Sequence, residues 1–121
     1  FLKNYDIKTN YKRIDNSNLI VFISSTLGYE ALSRGTKVFV FGVRSLAWNS
    51  KLNCFGWPFY YKKNGLFWSN EFNEKVWSNQ IKKVLDLKRE TWLRKNKTFK
   101  NSLIKADFDN KLLRSIINEI I

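Results

Sequence analysis

The chain has 121 residues, a length typical of one domain, and 44% of them are hydrophobic, enough for a globular core. Its 22 Lys and Arg residues against 10 Asp and Glu residues give a formal charge of +12, which favours anionic partners. One cysteine and no histidine exclude an internal disulfide, a Cys/His zinc site and a histidine-based catalytic triad. No Walker-type and no Gly-x-Gly-x-x-Gly motif is present, so ordinary ATP and dinucleotide sites are not indicated. We predict no metal ion and no cofactor.

Two short apolar runs and the segment between them predict a β-α-β unit. Residues 19–23 and 38–41 are unbroken runs of β-branched, aromatic and other apolar residues, and such runs are typical of parallel strands buried on both faces. Residues 24–36 leave room for a helix that begins near Thr26 and ends at Gly35, where glycine tolerates the left-handed conformation. The predicted fold class is α/β: a Rossmann-like parallel sheet with flanking helices.

The remaining sequence is predicted to be mostly helical. A short helix or turn is expected over residues 10–17, and an irregular, aromatic-rich segment over residues 42–70. Helical periodicity predicts three further helices, over residues 72–85, 89–99 and 112–121. Asn70 is the predicted cap of the first of these, and Asp109 or Asn110 of the last. We expect these helices to pack back onto the sheet.

The turn after the first strand is the strongest candidate for a binding site. Ser24, Ser25 and Thr26 stand where ligands bind in open α/β sheets, beyond the carboxyl end of a strand. Their hydroxyls and the free N–H groups of a helix start suit a phosphate. Gly28 would let a ligand or a neighbouring backbone come close, and Glu30 could accept from ribose or sugar hydroxyls. The alternative is structural: a serine or threonine cap, a glycine packed on a strand and a solvated glutamate.

Three more side chains are candidate ligand contacts. Arg44 follows the second strand and could reach a phosphate, and Trp57 and Trp68 could stack on a sugar or a base. For both aromatic residues the alternative is a self-packed loop. No pair of carboxylates is spaced for acid–base work, so no catalytic residue is assigned.

A family resemblance runs through several of these segments. Residues 25–38, STLGYEALSRGTKV, resemble the donor-domain segment of O-antigen and surface-carbohydrate biosynthesis proteins. Those proteins are in turn similar to glycosyltransferases of the two-Rossmann-domain (GT-B) architecture. The likeness continues in residues 55–58 (FGWP), 65–70 (GLFWSN), Trp92 and residues 107–110.

The resemblance implies that residues 1–121 form the C-terminal, donor-binding half of a longer glycosyltransferase of surface polysaccharide or O-antigen biosynthesis. Its substrate would be a nucleotide sugar, with Ser25 and Thr26 on the donor phosphates and Glu30 near the nucleotide. Relatives often carry aspartate where this chain has Ser24. The acceptor site would lie on a separate N-terminal domain, so this chain alone is not expected to be catalytically complete. We expect a cytoplasmic location, and the net positive charge of the chain would favour peripheral contact with the anionic inner face of the membrane.

An alternative function is suggested by the charge and the aromatic content. A nucleic-acid-binding module without enzymatic activity would use a basic surface and exposed aromatic side chains in this way. However, the basic residues occur singly or in pairs, and no run of five or six is present. This spacing favours a generally basic surface over a dedicated polyanion site.

Overall fold

The computed structural model describes residues 7–47, 54–55, 63–103 and 111–120. Along this part of the chain, helices and strands alternate as far as the third strand, and three helices follow it. The elements are α1 (Ile7–Asp15), β1 (Ile20–Phe22), α2 (Thr26–Ser33), β2 (Val38–Phe41), α3 (Arg44–Ala47), β3 (Trp68–Ser69), α4 (Glu74–Asp86), α5 (Arg89–Leu103) and α6 (Lys111–Ile120). No helix among the described residues is long and apolar enough to cross a membrane.

The described strands form one open parallel sheet in the order β1-β2-β3. In its register Ile20 lies beside Val38, Phe22 beside Val40, and Val40 beside Trp68. The predicted β-α-β unit is therefore confirmed, with α2 between two parallel strands. Strand β3 is an addition to the prediction, because its two residues lie in the segment that was expected to be irregular.

The two faces of the sheet are covered by different helices. Because paired residues of parallel strands point the same way, Phe22, Val40 and Trp68 share one face, and all three belong to the buried core with Trp92 of α5. On the other face the ring of Phe41 meets that of Trp77 of α4, at 4.7 Å between centroids. The covering of this face is incomplete over β1, since Val21 is 47% exposed.

Local signals explain where α2 ends and where α4 begins. Gly35 follows α2 with φ at +90°, as the sequence predicts for a left-handed helix end. Its carbonyl accepts a hydrogen bond of 3.1 Å from the indole N–H of Trp92, which ties α5 to the end of α2. The prediction that Asn70 caps the next helix is wrong. Asn73 is the cap of α4, and its side chain accepts from the N–H of Val76 at 3.2 Å.

The last two helices differ in how they meet the rest of the chain. Helix α5 packs against α2 and buries Trp92 completely. The ten residues of α6 are all exposed. The expectation that the terminal helices pack back onto the sheet therefore holds for α5 and not for α6. The predicted caps Asp109 and Asn110 lie outside the described residues.

Candidate functional site

The predicted phosphate-binding residues lie at the carboxyl edge of the sheet. Strand β1 ends at Phe22, and Ser24, Ser25 and Thr26 follow it into the start of α2. All three of these polar residues are exposed. Because the sheet is parallel, the segments after β2 and β3 leave from the same edge. The turn therefore occupies the position where open α/β sheets bind their ligands.

Ser25 is the N-cap residue of α2, but its side chain does not cap the helix. Its backbone is extended, with φ −84° and ψ 132°, and its hydroxyl makes no capping hydrogen bond. Its carbonyl accepts from the N–H groups of Gly28 and Tyr29, at 3.1 and 3.3 Å. In an α-helix the first N–H groups have no partner within the helix. An exposed serine hydroxyl therefore stands beside the first amide N–H groups of α2, at the positive end of a helix dipole.

Gly28 is explained by packing against β1. A Cβ atom built at Gly28 would lie 2.2 Å from Cγ of Phe22, far closer than atoms can approach. The Phe22 ring also meets the Tyr29 ring edge-on, with 5.2 Å between centroids. The missing side chain of Gly28 thus lets the start of α2 lie directly on the aromatic ring at the end of β1. This placement matches the structural alternative for this glycine.

Glu30 is held by helix α1 rather than directed at the open turn. The hydroxyl of Tyr11 donates to Oε2 of Glu30 at 2.5 Å, and this hydrogen bond raises the pKa of Tyr11. One turn on, Arg34 forms a two-point ion pair with Asp15, in which Nε donates to Oδ1 at 2.7 Å. The Arg34 guanidinium also lies 4.7 Å from the Tyr11 ring centroid. Glu30 is thus part of a polar network that fastens α1 to α2.

The ends of β2 and β3 are joined by a compact set of hydrogen bonds. The N–H of Gly42 donates to the carbonyl of Ser69 at 2.7 Å. Oδ1 of Asn70, which is buried, accepts from the N–H of Phe55 at 2.9 Å. A Cβ atom at Gly42 would lie 1.8 Å from that same Oδ1. Sequence reasoning missed this role of Asn70, and the only signal for it is the glycine that leaves room for the amide.

Arg44 and the two tryptophans have different environments. Arg44 is exposed and opens α3, just beyond the end of β2. Trp68 is only 5% exposed. Its ring lies about 5 Å from that of Phe99 and covers Gly65, where a Cβ atom would lie 2.1 Å from it. Trp68 therefore belongs to the core in this structure, whereas Trp57 lies outside the described residues.

An ion pair lies just beyond the end of β3. Lys63 contacts Glu71 at 2.7 Å and holds the pKa of that carboxyl below its usual range, with help from the Asn64 amide at 2.6 Å. Among the residues that the structure describes, no three Cys, Asp or Glu side chains converge on a possible metal position. This edge presents the exposed polar residues Ser24, Ser25 and Thr26 and the exposed Arg44.

The fold and the edge together define an α/β protein with a small parallel sheet and a polar turn at the carboxyl end of its first strand. Comparison with protein families is more specific. The whole chain, residues 1–121, matches the family described as "putative O-antigen biosynthesis protein", and the chain belongs to that family. Comparison with curated proteins gives no match, and comparison with solved structures gives none either.

Proposed function

We propose that this chain is the donor-binding part of a glycosyltransferase of the GT-B type that acts in O-antigen or surface polysaccharide biosynthesis. Its ligand is a nucleotide sugar, bound at the carboxyl edge of the sheet. Membership of the O-antigen biosynthesis family supplies the biological process. The parallel sheet supplies a scaffold on which nucleotide ligands bind at loop edges.

The observation that supports the proposal most strongly is that the turn at Ser24–Thr26 is exposed and that its Ser25 side chain does not cap α2. A helix that needed these residues only for capping would use the Ser25 hydroxyl as α4 uses the Asn73 side chain. Instead the Ser25 hydroxyl makes no capping bond and all three residues are exposed at the helix start. Hydroxyls and amide N–H groups at a helix N-terminus are the donors that bind phosphate in many proteins.

The roles of the neighbouring residues follow from their contacts. Ser24, Ser25 and Thr26 donate to the phosphate oxygens of the donor, and Arg44, which is exposed beyond the next strand, adds positive charge. Gly28 acts indirectly, because its packing against Phe22 sets the position of the helix start. Trp68 is not assigned a sugar contact because the core covers it. No catalytic group is assigned, and transfer requires the acceptor site of a further domain.

Thermal unfolding with a panel of UDP-, GDP- and CMP-sugars tests the proposal. A ligand that binds only the folded state raises the melting temperature by mass action, and one that is present at a hundred times its Kd stabilises by about 2.7 kcal/mol. We expect one nucleotide class to raise the melting temperature of the unaltered chain. The double variant Ser25→Ala and Thr26→Ala should lose that rise, because it removes two of the phosphate donors.

A second double variant, Ser78→Ala and Thr98→Ala, is the matched control. Like the first variant it removes one serine hydroxyl and one threonine hydroxyl, but from exposed positions on α4 and α5. The control should keep the ligand-induced rise of the unaltered chain. The proposal is wrong if no nucleotide sugar raises the melting temperature, or if the Ser25 and Thr26 variant responds as fully as the control.

A further inference from the structure

Helix α6 is divided lengthwise into an apolar side and a polar side. Five aliphatic residues recur at helical spacing along one side, and they are 43% to 79% exposed: Leu112, Leu113, Ile116, Ile117 and Ile120. The other five residues are polar and lie on the opposite side: Lys111, Arg114, Ser115, Asn118 and Glu119. So clean a division is typical of a helix that lies at a boundary between water and an apolar phase.

The dimensions of α6 limit what that phase can be. Ten residues of α-helix extend about 15 Å, half the thickness of a bilayer's hydrocarbon core, so α6 cannot span a membrane. A helix with one strongly apolar side and a polar back instead lies in the plane of a membrane surface. From this pattern and the exposure of its apolar side we infer that α6 docks on the surface of an anionic lipid bilayer.

The apolar side of α6 could be covered by a bilayer or by a second copy of the chain, and the net charge of the chain favours the bilayer. The chain carries a net charge of +12. Two copies would therefore repel one another as their α6 helices approached, whereas anionic headgroups attract every copy. Lys111 and Arg114 lie on the polar side of α6. In the docked helix their long side chains would reach the lipid headgroups while the aliphatic residues insert into the bilayer. Charge complementarity thus favours anionic lipid.

This inference does not rest on the nucleotide-sugar site, because α6 and the Ser24–Thr26 turn are separate elements. The test is sedimentation of the chain with two kinds of vesicle, one of phosphatidylcholine alone and one with phosphatidylglycerol added. We expect the chain to sediment with the anionic vesicles and to remain in solution with the neutral ones. Added salt should reduce the bound fraction, because it screens the attraction to headgroups.

Two variants separate the apolar side from the charge. Ile116→Gln with Ile117→Gln removes two exposed aliphatic side chains without changing the net charge, and should weaken binding at least about tenfold. Ser115→Gln with Asn118→Gln places the same residues on the polar side and should bind as the unaltered chain does. Glutamine has a higher helix propensity than isoleucine, serine or asparagine, so neither variant loses the helix through propensity.

Three results would overturn the inference. One is no binding to anionic vesicles at all. Another is equal binding by the two variants, which would assign membrane contact to the basic surface alone. The third is a dimer in sedimentation velocity that dissociates in the Ile116 and Ile117 variant, which would assign the apolar side to a second copy.

Discussion

Replacing Gly28 with alanine separates a packing role for this residue from a ligand-binding role. The added Cβ would lie 2.2 Å from Cγ of Phe22, and between 2.4 and 2.5 Å from both Cδ atoms. The ring cannot easily turn away, because Phe22 is 7% exposed and its edge packs against Tyr29. Either the ring leaves its position or the start of α2 lifts from β1.

The expected change in the free energy of unfolding is the difference between two opposing effects. Overpacking a closed core typically costs about 1–3 kcal/mol. Alanine regains about 1 kcal/mol over glycine inside a helix, because glycine loses more backbone entropy on folding. Because the 2.2 Å contact is far too short, the overpacking cost should lie in the upper part of that range, about 2–3 kcal/mol. We therefore expect Gly28→Ala to lower the free energy of unfolding by a net of about 1–2 kcal/mol, measured by urea denaturation with an unchanged m-value.

The double variant with Phe22→Leu tests the assigned cause. The smaller side chain makes room for the new methyl group, so alanine should cost less in the Phe22→Leu background than in the unaltered chain. If Gly28 instead serves a ligand, Gly28→Ala alone should leave stability unchanged or raise it by about 1 kcal/mol. A stable Gly28→Ala protein would refute the packing argument.

Four further substitutions test the contacts described above. Ser25→Ala should change stability by less than about 0.5 kcal/mol because its hydroxyl caps nothing, whereas Asn73→Ala should cost about 1 kcal/mol in the same urea assay. Trp92→Phe should cost about 1–3 kcal/mol, since it leaves the carbonyl that ends α2 without its buried donor. The ion pair with Arg34 lowers the pKa of Asp15, so its stabilisation is present above about pH 4 and is lost as pH falls through the lowered pKa. The Asp15→Asn variant should therefore lose less stability than the unaltered chain on acidification below about pH 4. The difference should be less than about 1 kcal/mol because the pair is partly solvent-exposed. Unfolding curves at a series of pH values measure it, and an equal loss in both proteins would show that the pair does not contribute.

The β-α-β unit was predictable because its signals are local. Unbroken apolar runs mark the two strands, and Gly35 marks the end of the helix between them. Strand β3 was not predictable, because its two residues, Trp68 and Ser69, are too few to show a period. Helix α5 was recognised from its apolar spacing, but its end at Leu103 lies four residues beyond the predicted Phe99.

The helix caps show where local reasoning fails. Asn70 and Asn73 are both plausible caps for α4, and nothing in the adjacent sequence separates them. The distinction is tertiary: Asn70 is committed to the N–H of Phe55 and is packed against Gly42. A residue already bonded to a distant segment is unavailable to the helix beside it, and a single sequence does not reveal that bond.

The candidate site was likewise predictable only in part. The position of Ser24–Thr26 beyond the end of a parallel strand follows from the order of strand and helix alone. The environment of Glu30 does not, because it depends on Tyr11 from a helix nineteen positions earlier in the chain. The environment of Trp68 depends on packing by Phe99, which lies in a different helix.

These tertiary contacts give a structural role to three of the residues that were predicted to bind the ligand, so fewer residues remain as candidate ligand contacts. Gly28 accommodates Phe22, Glu30 binds Tyr11, and Trp68 fills the core. A contact within the chain accounts for the position of each of these residues. The same account does not extend to Ser24–Thr26, which are exposed, while α2 begins without a side-chain cap. A helix start without its cap loses about 1 kcal/mol that serine could supply, so the unused hydroxyl is the feature of this edge that a bound phosphate would explain.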